Sequence, residues 1–328
     1  MAARPSGLVA EQLDKAMATT LDSVASVSLL DSDRDPEAFA AALGGSFERY
    51  GFAIVSDHGI PPDLIATAEE KARAFFALPE ELKRRYHVAG GGGARGYTPF
   101  GIETAKGHSA FDLKEFWHMG RPLPEGHDFE RFMPRNLWPD EVESFRDTFT
   151  RLFAAFDTAG ARLLAAIARH LDLAPDYFVD PVRDGNSVLR LLHYPPVPGD
   201  GPNVRAGAHE DINVITLLLG AQEAGLELLD RDGQWLPVKP REGELVVNVG
   251  DMLQRLTNHV LKSTSHRVVN PAPERRGLSR YSMPFFLHFR PDFLIETLPG
   301  CERSGHEPEP PITADDFLQQ RLREIKLA

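Results

Sequence analysis

Between Ser187 and Phe289 the chain is cut into short β-branched, leucine-rich and aromatic runs, separated by Pro, Gly and Asp turns. That rhythm predicts strands. Val188-Leu189-Arg190-Leu191-Leu192-His193-Tyr194 opens the series, and Asp230-Arg231-Asp232-Gly233-Gln234 between Leu226-Glu227-Leu228-Leu229 and Trp235-Leu236-Pro237-Val238 marks a hairpin. About eight strands fit in this stretch, the number a double-sheet jelly roll needs.

The residues before Ser187 have helical character. Asp35-Pro36 offers an N-cap and a first-turn proline, and Phe39, Leu43, Phe47 and Tyr50 follow at helical spacing across the weak pair Gly44-Gly45. A strand over 51–55 ends at Asp57-His58-Gly59. Beyond Pro61-Pro62 a second helix carries Ile65, Ala68, Ala72, Phe75 and Phe76, and Pro79 starts a shorter one through Arg85. Its Lys83-Arg84-Arg85 run reads as a solvated helix face. Gly90-Gly91-Gly92-Gly93 reads as a surface loop or as the hinge of a closing one. From Pro139, Val142, Phe145, Phe149, Leu152, Phe153, Phe156, Leu163, Leu164, Ile167 and Leu171 mark a long amphipathic helix that backs the sheet. Thr313-Ala314-Asp315-Asp316 starts a last helix, with Phe317, Leu318, Leu322 and Ile325 on one side. The expected organisation is an extension over 1–26, an N-terminal α/β region over 27–138, and the long helix, jelly-roll core and C-terminal helix over 139–328. The last two are expected to form one integrated domain.

A formal charge of −12 disfavours a nucleic-acid or anionic-membrane partner, since either would need a local basic patch against the global field. A small-molecule substrate is expected instead. No uninterrupted apolar segment is long enough to span a bilayer, and the single Cys301 fits a reducing compartment, so a cytoplasmic location is expected.

His209-Glu210-Asp211 and the later His266 supply two imidazoles and a carboxylate, a set that can hold one face of a six-coordinate Fe(II) and leave positions open. On a strand, side chains two apart point to one side, so His209 and Asp211 are expected to aim together. The same spacing at His170-Leu171-Asp172 closes a helical pattern, where such positions diverge, and is set aside. Ile212-Asn213-Val214-Ile215-Thr216-Leu217-Leu218-Leu219 predicts a buried strand that carries the ligands. Arg280 and Ser282 likewise share one strand face, and a planar guanidinium grips a carboxylate through two charge-assisted bonds. Tyr194 is either a third donor or a packing aromatic. Asn248, Asp251, Asn258 and Lys262 read as structural, and His87, His108, His127 and His288 as surface or packing residues.

Taken together, these residues resemble the isopenicillin N synthase-like branch of the Fe(II)/2-oxoglutarate-dependent dioxygenases. The likeness runs through Tyr50-Gly51-Phe52, Asp57-His58-Gly59-Ile60, Phe75-Phe76-Ala77-Leu78-Pro79 and His193-Tyr194-Pro195-Pro196. It is densest from His209-Glu210-Asp211 through Asn248-Val249-Gly250-Asp251 and Ser265-His266-Arg267-Val268 to Arg280-Tyr281-Ser282. Glu210 stands where plant members usually carry threonine, on a side chain expected to face away from the metal. The resemblance implies a mainly β fold with flanking helices, a distorted double-stranded β-helix or jelly roll. It implies Fe(II) on His209, Asp211 and His266, and 2-oxoglutarate as cosubstrate with its far carboxylate on Arg280, Ser282 and Tyr194. It also implies dioxygen as oxidant and a substrate mouth lined by Arg95, Tyr97, Trp117 and His118. The implied reaction oxidises an unactivated C–H bond by hydroxylation, desaturation or cyclisation, releasing succinate and CO2. An iron oxidase of the same fold that does not consume 2-oxoglutarate, and a non-catalytic jelly-roll binding protein, are the alternatives.

Overall fold

The computed structural model describes residues 24–102, 112–196, 205–219 and 225–324. Most of the expected N-terminal extension, His108 and Ile325 lie outside them. In chain order the N-terminal region holds β1 (Ser26–Ser28), α1 (Pro36–Tyr50), β2 (Phe52–Ser56), α2 (Pro62–Phe76), α3 (Glu80–Arg84), β3 (Gly96–Thr98) and β4 (Glu115–Gly120). The long helix α4 (Phe145–His170) follows. Then come β5 (Val188–Tyr194), β6 (Ala206–His209), β7 (Ile215–Leu219), β8 (Leu226–Leu229), β9 (Trp235–Pro237) and β10 (Leu245–Val249). After the short α5 (Asp251–Leu256), β11 (His266–Val268) and β12 (Arg280–Leu287) complete the strands of this stretch. The pair β13 (Leu294–Ile295) and β14 (Ile312–Thr313) leads into α6 (Ala314–Glu324).

The strands form an eight-stranded sheet in the order β1-β2-β10-β7-β12-β5-β4-β3 and a four-stranded sheet in the order β6-β11-β8-β9. This is a jelly roll whose larger sheet is extended at both ends by strands from the N-terminal region. Alternation sorts its faces. On β5 and β12, Arg190, Leu192 and Tyr194 and then Arg280, Ser282, Pro284 and Phe286 line a cavity between the sheets, while their odd-numbered partners face the helices. The helix-facing side is the main core: Phe285 lies between Phe153, edge-on at 4.9 Å, and Phe156, stacked at 5.2 Å. Gly160 lets α4 come close, since a Cβ there would sit 2.5 Å from Leu287. Gly44 does the same on α1, where the His170 ring occupies the space a side chain would need.

Local signals explain the element ends. The Asp35 carboxylate accepts from Ala38 N, and Gly51, at φ 68, ends α1 in a left-handed turn. Asp230 Oδ1 accepts from the N–H groups of Asp232 and Gln234, closing the β8–β9 hairpin. Thr313 Oγ1 accepts from Asp316 N at 3.1 Å and caps α6.

Three expectations need correction. The long helix starts at Phe145 rather than near Pro139, because Ser144 adopts φ 59 and breaks the path, with Val142 buried just outside it. The run over 212–219 is not one strand: β6 stops at His209, β7 begins at Ile215, and Asp211 lies in the bend between them. Lys83 is not on a solvated face. It is 6% exposed, and its ammonium pairs with Glu115 at 2.6 Å, while Arg84 and Arg85 stay outside. Among the described residues no helix is long and apolar enough to cross a membrane.

Candidate active site

His209 and His266 are directly opposite one another across the β6–β11 ladder, which brings their rings to 4.5 Å between centroids. Each ring is oriented by its own backbone. His209 Nδ1 lies 2.8 Å from Gly207 O, and His266 Nδ1 lies 3.1 Å from Thr264 O. A carbonyl only accepts, so each Nδ1 carries a proton and Nε2 is the nitrogen left to meet another partner. Those Nε2 atoms lie 3.8 and 3.9 Å from Asp211 Oδ1, too far for hydrogen bonds.

The other oxygen of Asp211 is already engaged: Oδ2 accepts from Thr216 Oγ1 at 2.6 Å and from Asn248 Nδ2 at 2.8 Å. Two nitrogens and Oδ1 therefore face a common point, with the ligand atoms of the three residues within 4.8 Å of one another. The 3.8 and 3.9 Å spacings from Asp211 Oδ1 can be spanned by one cation at about 2.0–2.2 Å from each donor. Protonation also fits. Burial first, and the neighbouring His266 second, push His209 down to about 4, although 40% of its side chain is exposed. Burial opposes ionisation of Asp211, but His266, His209 and the Asn248 and Thr216 hydrogen bonds outweigh it and hold the carboxyl below its ordinary value. A neutral imidazole and a carboxylate are the forms a metal takes up.

The bend that carries Asp211 is fastened by the Asn248-Val249-Gly250-Asp251 motif, whose role is larger than that of a turn. Gly250 N donates to Val214 O at 2.9 Å, Asp251 N to Asp211 O at 2.7 Å and Met252 N to Ile212 O at 3.1 Å. Gly250 must lack a side chain, because a Cβ there would meet Asn213 O at 2.1 Å. His209 and Asp211 thus converge because a strand end and a docked bend meet, and not because one strand carries both.

Arg280 and Ser282 line the same cavity as the three ligand residues. Arg280 is 3% exposed; its Nη1 donates to Ser282 Oγ at 3.3 Å, its Nε has no partner, and no carboxylate among the described residues pairs with it. Tyr194, opposite Arg280 in the β5–β12 register, puts its ring 4.9 Å beneath the guanidinium. A buried cation without an anion is costly, so the cavity is built to receive one.

The four residues expected at the substrate mouth separate. Tyr97 and Trp117 pair across β3–β4 on the helix-facing side, where Trp117 packs on Phe75, Tyr86 and Phe145, and both are fully buried away from the cavity. Strand alternation explains this, since Phe116 and His118 take the opposite face. His118 Nδ1 donates to Gly93 O, so its Nε2 accepts from Arg190 Nε and orients a cavity-lining guanidinium. Arg95 lies across Gly120, donates to Pro134 O and Ala94 O, and leaves Nη2 buried without a partner; burial lowers it to about 10. Sequence reasoning missed two cavity cations. Arg190 was legible, two and four residues before Leu192 and Tyr194 on one strand face, whereas Lys114, paired with Asp112 at 2.8 Å, precedes β4 and carried no signal.

Comparison with known proteins agrees with this geometry. Residues 23–141 match the family model for the N-terminal region of the non-haem dioxygenases in morphine synthesis, and residues 185–289 match that of the 2OG-Fe(II) oxygenase superfamily. A 2-oxoglutarate-Fe(II) type oxidoreductase of Emericella nidulans is 36% identical over 287 residues, covering 84% of this chain and 81% of the relative. A 2OG-Fe(II) oxygenase family protein from Caulobacter crescentus superposes with a TM-score of 0.87 at 57% identity, covering 92% of this chain and 99% of that one. A full-length Neurospora crassa protein solved with alpha-KG and thymine gives 0.81 at 30% identity, covering 92% and 96%. The chain belongs to the 2-oxoglutarate- and Fe(II)-dependent oxygenase superfamily, and is an oxidoreductase that uses Fe(II), 2-oxoglutarate and dioxygen.

Proposed function

We propose that His209 and His266 hold Fe(II) through Nε2 and Asp211 through Oδ1, and that Arg280 and Ser282, with Tyr194 beneath them, take the far carboxylate of 2-oxoglutarate. The observation that carries this assignment is the buried Arg280, which no carboxylate among the described residues pairs with, in the cavity that also holds His209, Asp211 and His266. When bound, iron and 2-oxoglutarate together supply the power to oxidise a C–H bond with dioxygen, releasing succinate and CO2.

The chain's own residues do the rest. Thr216 and Asn248 keep Asp211 Oδ2 occupied, so that Oδ1 is the oxygen presented. Leu192, Leu218, Leu226, Val268 and Phe286 line the cavity and exclude water around the reacting groups. The substrate is a small molecule, in keeping with the thymine held by the Neurospora protein, and the net charge of −12 argues against a nucleic acid. Of the four residues expected at the mouth, His118 contributes by orienting Arg190. The N-terminal region and the barrel act as one domain, since β2 pairs directly with β10.

The test is anaerobic titration with Fe(II) and 2-oxoglutarate. A weak visible charge-transfer band is expected in the wild type and absent in His209→Ala. A band that survives in His209→Ala would remove the assignment.

A further inference from the structure

On the helix-facing side of the sheet, directly behind Arg280 and Tyr194, lies a buried chain of polar groups that the chemistry above does not use. Lys83 from α3 gives its ammonium to Glu115 Oε2 at 2.6 Å, and the Tyr97 hydroxyl donates to the same oxygen. Glu115 Oε1 meets His193 Nδ1 at 2.7 Å, and His193 Nε2 meets Ser279 Oγ at 3.0 Å. The carboxylate accepts from the imidazole, so His193 Nδ1 carries a proton, and Nε2 shares the second bond with the Ser279 hydroxyl. Burial opposes the charge on Glu115, yet hydrogen bonds from His193, Lys83 and Tyr97 hold its carboxyl below the ordinary value.

The chain ends at the residues adjoining the proposed cosubstrate contacts: His193 precedes Tyr194, and Ser279 precedes Arg280. The β5–β12 register pairs Arg280 with Tyr194, Tyr281 with His193 and Ser282 with Leu192, and resumes only at Phe285 and Leu189. Pro284 lies in that gap and has no N–H to give. The three-residue segment that presents Arg280 and Ser282 is thus tied to β5 by a short ladder. It follows the exposed Gly277 and Leu278. On the cavity side, among the described residues, the Arg280 guanidinium meets the Ser282 hydroxyl and the face of Tyr194. On the helix side His193 is clamped. Tyr281 stacks on it at 4.7 Å and 15°, Phe76 lies 5.4 Å away, and Arg73 covers Tyr281 at 4.3 Å.

We infer that Lys83, Glu115, His193 and Ser279 form a positioning relay that fixes the β5–β12 strand ends and thereby sets the affinity for 2-oxoglutarate. The role rests on the cosubstrate assignment above. Its residues touch neither metal nor cosubstrate, so they are positioning residues and act through the backbone of Arg280 and Tyr194.

The test compares Ser279→Ala, Ser279→Thr and Glu115→Gln with wild type in three measurements: Fe(II) affinity, 2-oxoglutarate affinity from the anaerobic band, and melting temperature. Ser279→Ala removes one hydrogen bond at a half-buried position, so it is expected to fold; Glu115→Gln is the harsher variant. The expected result is a 2-oxoglutarate Kd raised about fivefold in Ser279→Ala, the equivalent of one hydrogen bond. Ser279→Thr restores it by keeping the hydroxyl, and Fe(II) affinity does not move. An unchanged 2-oxoglutarate Kd in Ser279→Ala, or an equal loss of iron affinity, overturns the relay. A wild-type protein that binds Fe(II) but gives no band with 2-oxoglutarate overturns the cosubstrate assignment instead, and the two failures are thereby told apart.

Discussion

Each proposed ligand side chain is oriented by the bond made at its other end. Two backbone carbonyls choose the tautomer of His209 and His266, and Thr216 and Asn248 choose the oxygen of Asp211. Removing such a support costs metal affinity without removing a ligand. Thr216→Val keeps the shape of the side chain and deletes the hydroxyl. It is expected to weaken Fe(II) binding about 10- to 100-fold, read by competition with a chelator, while leaving the fold intact. Unchanged affinity would mean that the hydroxyl does not orient the carboxylate. The residue between the proposed ligands, Glu210, is exposed and does not line the cavity.

At the level of elements, an ion pair ties the C-terminal helix to a residue that fastens the Asp211 bend. Arg321 Nη2 on α6 lies 3.2 Å from Asp251 Oδ2, and Asp251 N holds the carbonyl of Asp211. Burial raises Asp251 to about 6, and Arg321 pulls the other way. Arg321→Met should therefore lower stability by about 1–2 kcal/mol, since Arg321 is 30% exposed and part of its attraction is screened. A denaturant midpoint equal to wild type would show that α6 does not brace the bend. Elements of this kind were legible where the signal is local. The Asp35 cap, the Asp230 hairpin and the Arg280/Ser282 alternation need only neighbours in sequence, and each lies where its chemistry predicts. What escaped depends on distant partners. Nothing beside Lys83 announces a carboxylate at Glu115, and the run of apolar residues after Asp211 hides a bend set by the N–H groups of Gly250, Asp251 and Met252. Tyr97 and Trp117 fell on the wrong side because the start of a short strand, which alternation cannot supply, decides which residues face inward.

Across the whole molecule, stability and metal loading share a dependence on pH. His288, buried on β12's continuation with Nδ1 donating to Phe286 O, is pushed down to about 4 by burial, from 6.5 for the free side chain. The folded state then binds fewer protons than the unfolded state between those values, so stability falls as pH drops from 6.5 toward 4. A shift of this size corresponds to about 3 kcal/mol for the single group. His209, depressed for the same reason, adds to the slope, and Asp251, raised by burial, opposes it. In chelator-treated protein, His288→Asn is expected to flatten the fall of unfolding free energy over this range; an unaltered slope would place the acid sensitivity elsewhere.

The proposed chemistry depends above all on where the metal sits. Crystals grown anaerobically with Fe(II) and 2-oxoglutarate, measured at the iron absorption edge, should give one strong anomalous peak bounded by His209 Nε2, Asp211 Oδ1 and His266 Nε2. A peak elsewhere, or none between those three atoms in iron-loaded protein, would contradict it.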